Sequence, residues 1–180
     1  MPHGITVVST LLLCLVGPAE AAQSDASTSA AFLKIPIGAR NAAMGGTGAV
    51  ESSVYSAYWN PAGLAEVTGR QAAYSYSAWL VDTSLQTLGY AQATPYGAFA
   101  LSFQYVSIPA IQKYDNTGAA VGAEYRPVDS LLGVSYARRA FGVMLGASLK
   151  GLYSKLEDSS AHSAALDLGA RLDPLFGPEG

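Results

Sequence analysis

The chain has 180 residues, a length that predicts a single domain. Half of its residues are hydrophobic and only 13% are charged, which is a low charged fraction for a soluble domain. The net charge of −3 and the lack of a basic stripe argue against a nucleic-acid partner, and the single cysteine, Cys14, excludes an intrachain disulfide.

Residues 1–22 have the features of a secretory signal peptide. The apolar core, residues 5–16, has the length of a signal sequence and is too short to span a bilayer. Pro18 ends this core, and residues 19–21 form an A-x-A cleavage pattern. Lipidation of Cys14 is an alternative, but the two residues before it are large. We therefore expect export and a mature chain without a thiol.

Residues 23–66 are expected to precede the main fold. Residues 23–31 form a flexible leader, and residues 32–66 form an irregular segment that we call the hatch segment. The hatch segment is rich in glycine, which permits positive φ and close approach of the backbone. It closes on Asn60-Pro61 and Ala62-Gly63, two turn-forming pairs. These features predict a plug or hatch packed against a larger structure. An ordinary surface connection with two turns is the alternative.

From Arg70 onward the side chains alternate with a period of two, which is typical of strands with one apolar face. In residues 98–107, large side chains such as Phe99 and Leu101 alternate with small ones such as Ala100 and Ser102. The six predicted strands are residues 71–80, 84–94, 98–107, 129–139, 141–153 and 163–172.

Strands of this kind either cover the core of a soluble sandwich or face lipid from a closed barrel. Their length of about ten residues and the aromatic residues near their ends favour lipid. Tight turns near residues 95–97 and 140 also alternate with longer connections at 81–83, 108–128 and 155–162. We therefore predict an all-β fold, an antiparallel up-and-down transmembrane β-barrel with the small face inside.

Six strands are too few for a barrel, because closure needs about eight and an open edge in lipid leaves backbone groups unpaired. Residues 67–180 are therefore expected to be the first strands of a larger, truncated barrel. Four charged side chains are expected to face the lumen and to pair across strands, namely Arg139, Lys150, Asp167 and Arg171. They either solvate or stiffen a polar lumen, or they contact a ligand or partner.

The sequence gives no support for catalysis, a cofactor or a metal site. His162, the only histidine after the signal peptide, lies near Ser159 and Asp158 but without a nucleophile elbow, so a solvated loop histidine is the simpler interpretation. The glycine-rich residues 45–48 lack the lysine that ends a phosphate-binding loop. No cluster of metal ligands is present in the sequence. We predict a protein that is not an enzyme.

Four blocks, FLKI, GAR, AMGG and YWNPAGLA, occur in this order in the hatch segment. Together they resemble the N-terminal signature of the PorV/PorQ family, in the FadL-like group of outer-membrane β-barrels. The sequence departs from that pattern at Glu51-Ser52-Ser53, where members often carry an acidic pair, and the chain is short for such a barrel. The residues expected to shape and anchor the hatch segment are Phe32, Gly38, Arg40, Met44, Gly45, Gly46, Trp59, Asn60, Pro61, Gly63 and Leu64.

The resemblance implies a protein of the bacterial outer membrane, surrounded by its lipid and exported by the signal peptide. It implies a role in protein secretion, in which the barrel holds secreted cargo proteins and delivers them to surface attachment machinery, as in type IX secretion. The alternative is FadL-like uptake of hydrophobic small molecules through a lumen gated by the hatch segment. A soluble secreted β-sandwich is the third alternative.

Overall fold

The computed structural model describes residues 30–172 except residues 116 and 158, and it leaves the side chains of residues 31, 121 and 123 undescribed. The predicted signal peptide, the leader up to residue 29 and the last residues, 173–180, lie outside the described residues. In the described part of the chain, no helix has both the length and the apolar character needed to cross a membrane.

The hatch segment folds as short helices joined by turns. Two are α-helices, α1 (Ala39–Ala43) and α2 (Ser56–Trp59), and three are 3-10 helices, Ala31–Lys34, Gly48–Val50 and Pro61–Glu66. Gly38 precedes α1 with a φ of 84°, and Gly45 and Gly46 follow it with φ of 73° and 82°. Residues with a Cβ rarely adopt this left-handed conformation, so the glycines allow the chain to reverse on both sides of α1.

Eight strands follow: β1 (Arg70–Ala78), β2 (Ser84–Thr94), β3 (Gly97–Ser107), β4 (Ile111–Tyr114), β5 (Ala120–Tyr125), β6 (Val128–Ala140), β7 (Val143–Leu156) and β8 (Ser159–Leu172). β1, β2, β3, β6, β7 and β8 form an antiparallel sheet in that order, and β4 and β5 form a separate antiparallel hairpin. Among the described strands the large sheet is open, with β1 and β8 at its edges. The predicted all-β, antiparallel fold is confirmed.

The predicted long connection, residues 108–128, contains the β4–β5 hairpin, which the sequence analysis did not anticipate. Its tip is organised by Asp115, whose Oδ1 accepts hydrogen bonds from the backbone nitrogens of Thr117 at 2.8 Å and Ala119 at 2.9 Å. Hydrogen bonds from the Thr117 side chain and from these backbone groups hold the pKa of Asp115 below its usual value. The carboxylate therefore stabilises a tight turn in its ionised form.

The prediction of a polar loop over residues 155–162 is wrong. β7 and β8 continue through this region, with Lys155 opposite Ser160 and Leu156 opposite Ser159. The ladder is made by backbone groups, so polar side chains do not prevent it. Glu157, in the turn between the strands, has a φ of 57°, which is typical of tight hairpin turns.

The two faces of the six-stranded sheet differ in what covers them. The hatch segment packs on one face, which we call the covered face, where small or polar side chains such as Ala100 and Ser102 are buried. The opposite face, which we call the outward face, carries large apolar side chains, and Phe99 and Leu101 are each about half exposed there. The predicted division of each strand into a bulky and a small face is present in the sheet.

Two apolar clusters fill the space between the hatch segment and the covered face. One contains Val54, Ala57 and Leu64 of the hatch segment with Val67, Ala91, Ala98, Ala100 and Ala137. The other contains Phe32 and Ile37 of the hatch segment with Leu85, Val106, Leu131 and Leu152. The alanines of the first cluster let the hatch backbone approach the sheet closely, because a methyl group occupies little space.

Candidate functional site

A close contact between the hatch segment and the sheet is made by residues 60–66, which we call the NPA turn. Asn60 has an extended backbone, as expected for a residue before proline. Its side-chain oxygen accepts a hydrogen bond from the backbone nitrogen of Ala62 at 3.1 Å, and its Nδ2 donates to the carbonyl oxygen of Ala49 at 3.1 Å. Asn60 therefore caps the 3-10 helix that follows, and Pro61 suits the first helical position because it has no N–H to satisfy.

Two glycines of the sheet, which we call the glycine seat, receive the NPA turn. Gly146 of β7 lies directly opposite Gly169 of β8. A Cβ atom at Gly146 would lie 2.5 Å from the backbone nitrogen of Ala62, and one at Gly169 would overlap the side-chain oxygen of Asn60. Any larger residue would therefore displace the NPA turn, so the seat requires glycine at both positions.

Two further glycines permit close packing inside the hatch segment. A Cβ atom at Gly63 would overlap the carbonyl oxygen of Glu51, and one at Gly48 would overlap the indole ring of Trp59. Trp59 also donates a hydrogen bond from Nε1 to the carbonyl oxygen of Ile37 at 3.3 Å. Trp59 thus packs against the turn at Gly48 and is hydrogen-bonded to the turn at Ile37.

Three side chains, Arg171, Glu66 and Ser52, fasten the hatch segment to β8 and are called here the arginine clamp. Arg171 donates from Nη1 to the carbonyl oxygens of Glu51 at 3.0 Å and Val50 at 3.3 Å, and from Nη2 to the Glu66 carboxylate at 2.7 Å. The Ser52 hydroxyl bonds to the same carboxylate oxygen. One guanidinium therefore joins two separate turns of the hatch segment to the sheet.

The arginine clamp favours the ionised form of Glu66. The hydrogen bond from Ser52, followed by the contact with Arg171, lowers the pKa of Glu66 below its usual value. The charge of Arg139 lowers this pKa as well, and Arg139, whose side chain is exposed, lines a pocket together with Ala65 of the hatch segment. Two of the four charged residues predicted to face the lumen, Arg139 and Arg171, are therefore oriented towards the hatch segment.

The other two predicted charges, Lys150 and Asp167, form an ion pair between β7 and β8. The Lys150 side chain is only 8% exposed, and its Nζ also donates to the carbonyl oxygen of Tyr58 at 3.2 Å. The expected pairing across strands is therefore present for these two residues. A buried ammonium group requires such partners, because its removal from water is otherwise very unfavourable.

Tyr58 extends the contact of the hatch segment to β2 and β3. Its hydroxyl lies 2.8 Å from the carbonyl oxygen of Leu88 and 2.9 Å from that of Phe103, two residues that are opposite each other in the sheet. Burial raises the pKa of Tyr58 well above its usual value, so the hydroxyl keeps its proton for these acceptors. Gly89 leaves room beside it, because a Cβ atom there would lie 2.8 Å from Val54.

The covered face is polar in character although it is buried. Thr87, Ser102 and Gln104 have buried polar atoms without a hydrogen-bond partner among the protein atoms, and the hydroxyls of Ser135 and Ser148 bond to each other at 2.6 Å. Interiors of soluble domains rarely contain such a density of fully buried polar side chains. The side of the sheet that carries the hatch segment therefore combines two apolar clusters with a group of buried polar side chains.

The predicted hatch residues do not all reach the sheet. Phe32 and Leu64 are buried in the two apolar clusters, and Asn60 and Pro61 occupy the glycine seat. Arg40 and Met44, in contrast, are exposed and line a separate pocket of about 200 Å³ on the hatch segment.

Several residues that hold the site were not singled out from the sequence, namely Ser52, Tyr58, Glu66, Gly146 and Gly169. The two glycines had a detectable signal, because both lie on the small face of neighbouring strands. Glu66 had none, because its partner Arg171 is 105 residues away in the sequence.

His162 lies in β8 and not in a loop, which corrects the sequence-based interpretation. Its ring packs on that of Tyr153, with the centroids 4.9 Å apart, while Asp158 lies outside the described residues. In the part of the chain that the structure describes, no group of three or more His, Cys, Asp and Glu residues is placed to hold a metal ion.

No protein-family model matches the chain, and no curated protein matches it either.

Proposed function

We propose that the chain is an outer-membrane protein of the transmembrane β-barrel class, in which the outward face contacts lipid and the hatch segment fills the interior. The observation that carries this proposal is the inverted distribution of side chains. The buried, covered face carries alanine, serine and other polar side chains along its middle, with a few large apolar ones under Phe32 and Ile37, whereas the exposed, outward face is large and apolar. A contiguous apolar surface of this kind is unfavourable in water, but it is the surface that a bilayer solvates.

The outward face is arranged in rows that cross all six strands. A central row consists of Ala72, Tyr90, Leu101, Val134, Leu149 and Leu166. The neighbouring row consists of Tyr74, Leu88, Phe103, Leu132, Gly151 and Ala164. Neither row contains a charged side chain, as the hydrocarbon region of a membrane requires.

Aromatic side chains border this apolar band on both sides. One border row contains Tyr76, Tyr105 and Tyr153. On the other side Phe99 packs against Tyr136, with the ring centroids 4.8 Å apart and the rings tilted by 45°. Aromatic residues are enriched where hydrocarbon meets headgroups, and the six strands of the large sheet, with 9 to 14 residues each, are long enough to cross at a tilt.

Within this proposal the hatch segment is a firmly attached plug. The glycine seat, the arginine clamp, Lys150 and Tyr58 connect it to four strands. A fixed plug over a polar face suits a barrel that presents a surface to protein partners better than one that opens for hydrophobic solutes. Together with the resemblance to the PorV/PorQ blocks, this leads us to assign a role in protein secretion, in which the barrel holds secreted cargo at the outer membrane.

One observation favours FadL-like uptake as a second candidate. A pocket of about 310 Å³ lies between the end of the hatch segment and the sheet, lined in part by Ala65, Tyr96, Arg138 and Arg139. A passage gated by the hatch segment would begin at a junction of this kind.

The membrane location is tested by labelling single cysteines, because the expected mature chain has none. In membrane preparations, Leu149→Cys on the outward face is expected to resist an impermeant maleimide until the membrane is dissolved. Lys155→Cys, near the end of the same strand, is the matched control and is expected to react at once. Rapid reaction of both cysteines would overturn the proposal and favour the soluble sandwich.

The role in secretion is tested in cells of the source organism that lack the protein. We expect secreted proteins to accumulate in the periplasm, while uptake of a labelled long-chain fatty acid is unchanged. Loss of fatty-acid uptake with normal secretion would replace the secretion role by FadL-like transport.

A further inference from the structure

A groove on the outward face, formed by β6, β7 and β8, combines an apolar floor with a single cation at one end. It has a volume of about 640 Å³ and is lined by small and apolar residues that include Leu145, Ala147, Leu168 and Ala170. Ala147 lies between Tyr136 and Leu168 in one row of the sheet, so a methyl group separates two large side chains. The large side chains therefore stand on either side of a shallow depression at Ala147.

One wall of this groove is held in place before any ligand binds. The Tyr136 hydroxyl donates a hydrogen bond to the carbonyl oxygen of Tyr96 at 2.6 Å, and its ring packs at a tilt against that of Phe99. A preorganised wall lowers the entropy that is lost when a chain-like ligand enters.

Arg138 lines the end of the groove, in the row next to Tyr136, and it also lines the pocket beside the hatch segment. It projects from the outward face two residues before β6 ends, and no carboxylate within the described part of the chain forms an ion pair with it. An unpaired arginine on a lipid-facing surface is tolerated near the interface, where its charge reaches the headgroups. A second groove on the same face, lined by Tyr90, Phe99 and Leu101 among others, has no charged residue in its lining.

We infer that the groove beside Arg138 is a binding site for an anionic phospholipid of the surrounding membrane. One acyl chain lies along the floor at Ala147, and the phosphate pairs with the guanidinium, which matches phosphate oxygens in a bidentate geometry. This inference rests on the proposal that the outward face contacts lipid, and it adds selectivity for a headgroup charge at one defined position.

The inference is tested with tryptophan probes in vesicles of phosphatidylcholine that contain a minor fraction of lipid with brominated acyl chains. Leu168→Trp reports on the groove, and Leu132→Trp reports on the outward face outside it. Both are made in a Trp79→Phe background, and the Trp59 signal is subtracted. The brominated lipid is either phosphatidylglycerol or phosphatidylcholine, so that only the headgroup differs.

We expect the fluorescence of Leu168→Trp to be quenched more strongly by brominated phosphatidylglycerol than by brominated phosphatidylcholine. The difference should correspond to an enrichment of phosphatidylglycerol in the groove of about fivefold, because one arginine attracts an anionic headgroup by about 1 kcal/mol. Leu132→Trp should be quenched equally by both lipids. Arg138→Gln should abolish the preference at the groove, whereas Arg70→Gln, which removes a cation at the same end of the sheet, should preserve it.

The outcomes separate this inference from the proposal on which it rests. Equal quenching by both lipids at Leu168→Trp, or a preference that survives Arg138→Gln, overturns the lipid site and leaves the membrane location intact. Absence of quenching at both probes overturns the membrane location itself and the lipid site with it.

Discussion

The middle of β7 has two faces whose composition is opposite to that of a strand in a soluble protein, although the covered face also buries Met144 and Leu152 on either side of it. On its covered face Ser148 and Lys150 are buried beneath the hatch segment, while on its outward face Leu145 and Leu149 are exposed. In a soluble sheet the leucines would be buried and the lysine exposed, because burial of apolar area is the main favourable term in folding. The difference between the two faces supports the proposal that the outward face contacts lipid, whereas the covered face is held to the hatch segment by apolar clusters and by specific polar contacts.

The largest expected effect concerns the outward face and depends on depth. Leu166→Lys on β8, in the central row, is expected to destabilise the protein in a bilayer by about 2–4 kcal/mol, because a charge is placed in hydrocarbon. Leu172→Lys, on the same face near the end of the same strand, should cost only about 0–1 kcal/mol. Urea titrations of the two variants folded in vesicles measure this difference. Equal costs at both positions would contradict the proposed orientation of the outward face.

The second prediction concerns the covered face alone. Gly146→Val is expected to displace the NPA turn from the glycine seat at a cost of about 1–3 kcal/mol, because a Cβ atom there meets backbone atoms that cannot yield. Protease digestion should then cleave the hatch segment while the sheet stays intact. Gly151→Val is the control on the same strand, since the nearest atom to its Cβ position lies 3.9 Å away. A protected hatch segment in Gly146→Val would refute the close fit of the glycine seat.

The third prediction concerns the cap of the NPA turn. Asn60→Ala removes the acceptor for the Ala62 nitrogen and is expected to weaken the attachment of the hatch segment by about 1 kcal/mol. Solute leakage through vesicles that contain the protein should rise, and Trp59→Ala should raise it as well. Asn60→Ser keeps an acceptor at the cap position and loses the bond to Ala49, so it should leak less than Asn60→Ala. Unchanged permeability in both alanine variants would argue against a gating hatch segment.

The smallest effect is expected at the arginine clamp, and it depends on pH. Because the pKa of Glu66 in the folded protein lies below its ordinary value of 4.5, its stabilisation is present above that value and is lost as the pH falls through the lowered pKa. Glu66→Gln should remove this pH dependence and cost about 1 kcal/mol or less near neutral pH, because the pair is partly exposed.

Protease protection of the hatch segment, measured between neutral and acidic pH, provides the readout for the clamp. Glu51→Gln serves as a control, because Arg171 contacts the backbone of Glu51 and not its carboxylate. If Glu66→Gln kept the acid-dependent release of the hatch segment, another group would be responsible for it.

The sequence by itself determined the all-β fold, the approximate limits of six strands and the two faces of each. This was possible because alternation with a period of two is a local property of an extended chain. The same alternation identified Lys150, Asp167 and Arg171 as residues of one face before their partners were known. It did not identify the β4–β5 hairpin, whose strands are short, and it mistook the polar end of the β7–β8 hairpin for a loop.

Only the tertiary structure decided what those residues contact. The pairing of Gly146 with Gly169 depends on the register of two strands, and their role depends on the NPA turn, which lies far away in the sequence. The same holds for Arg171 and Glu66, which are 105 residues apart. The alternation of residues indicates which face of the sheet a side chain is on. The residue that it contacts depends on how segments distant in the sequence pack together, which a local pattern does not contain.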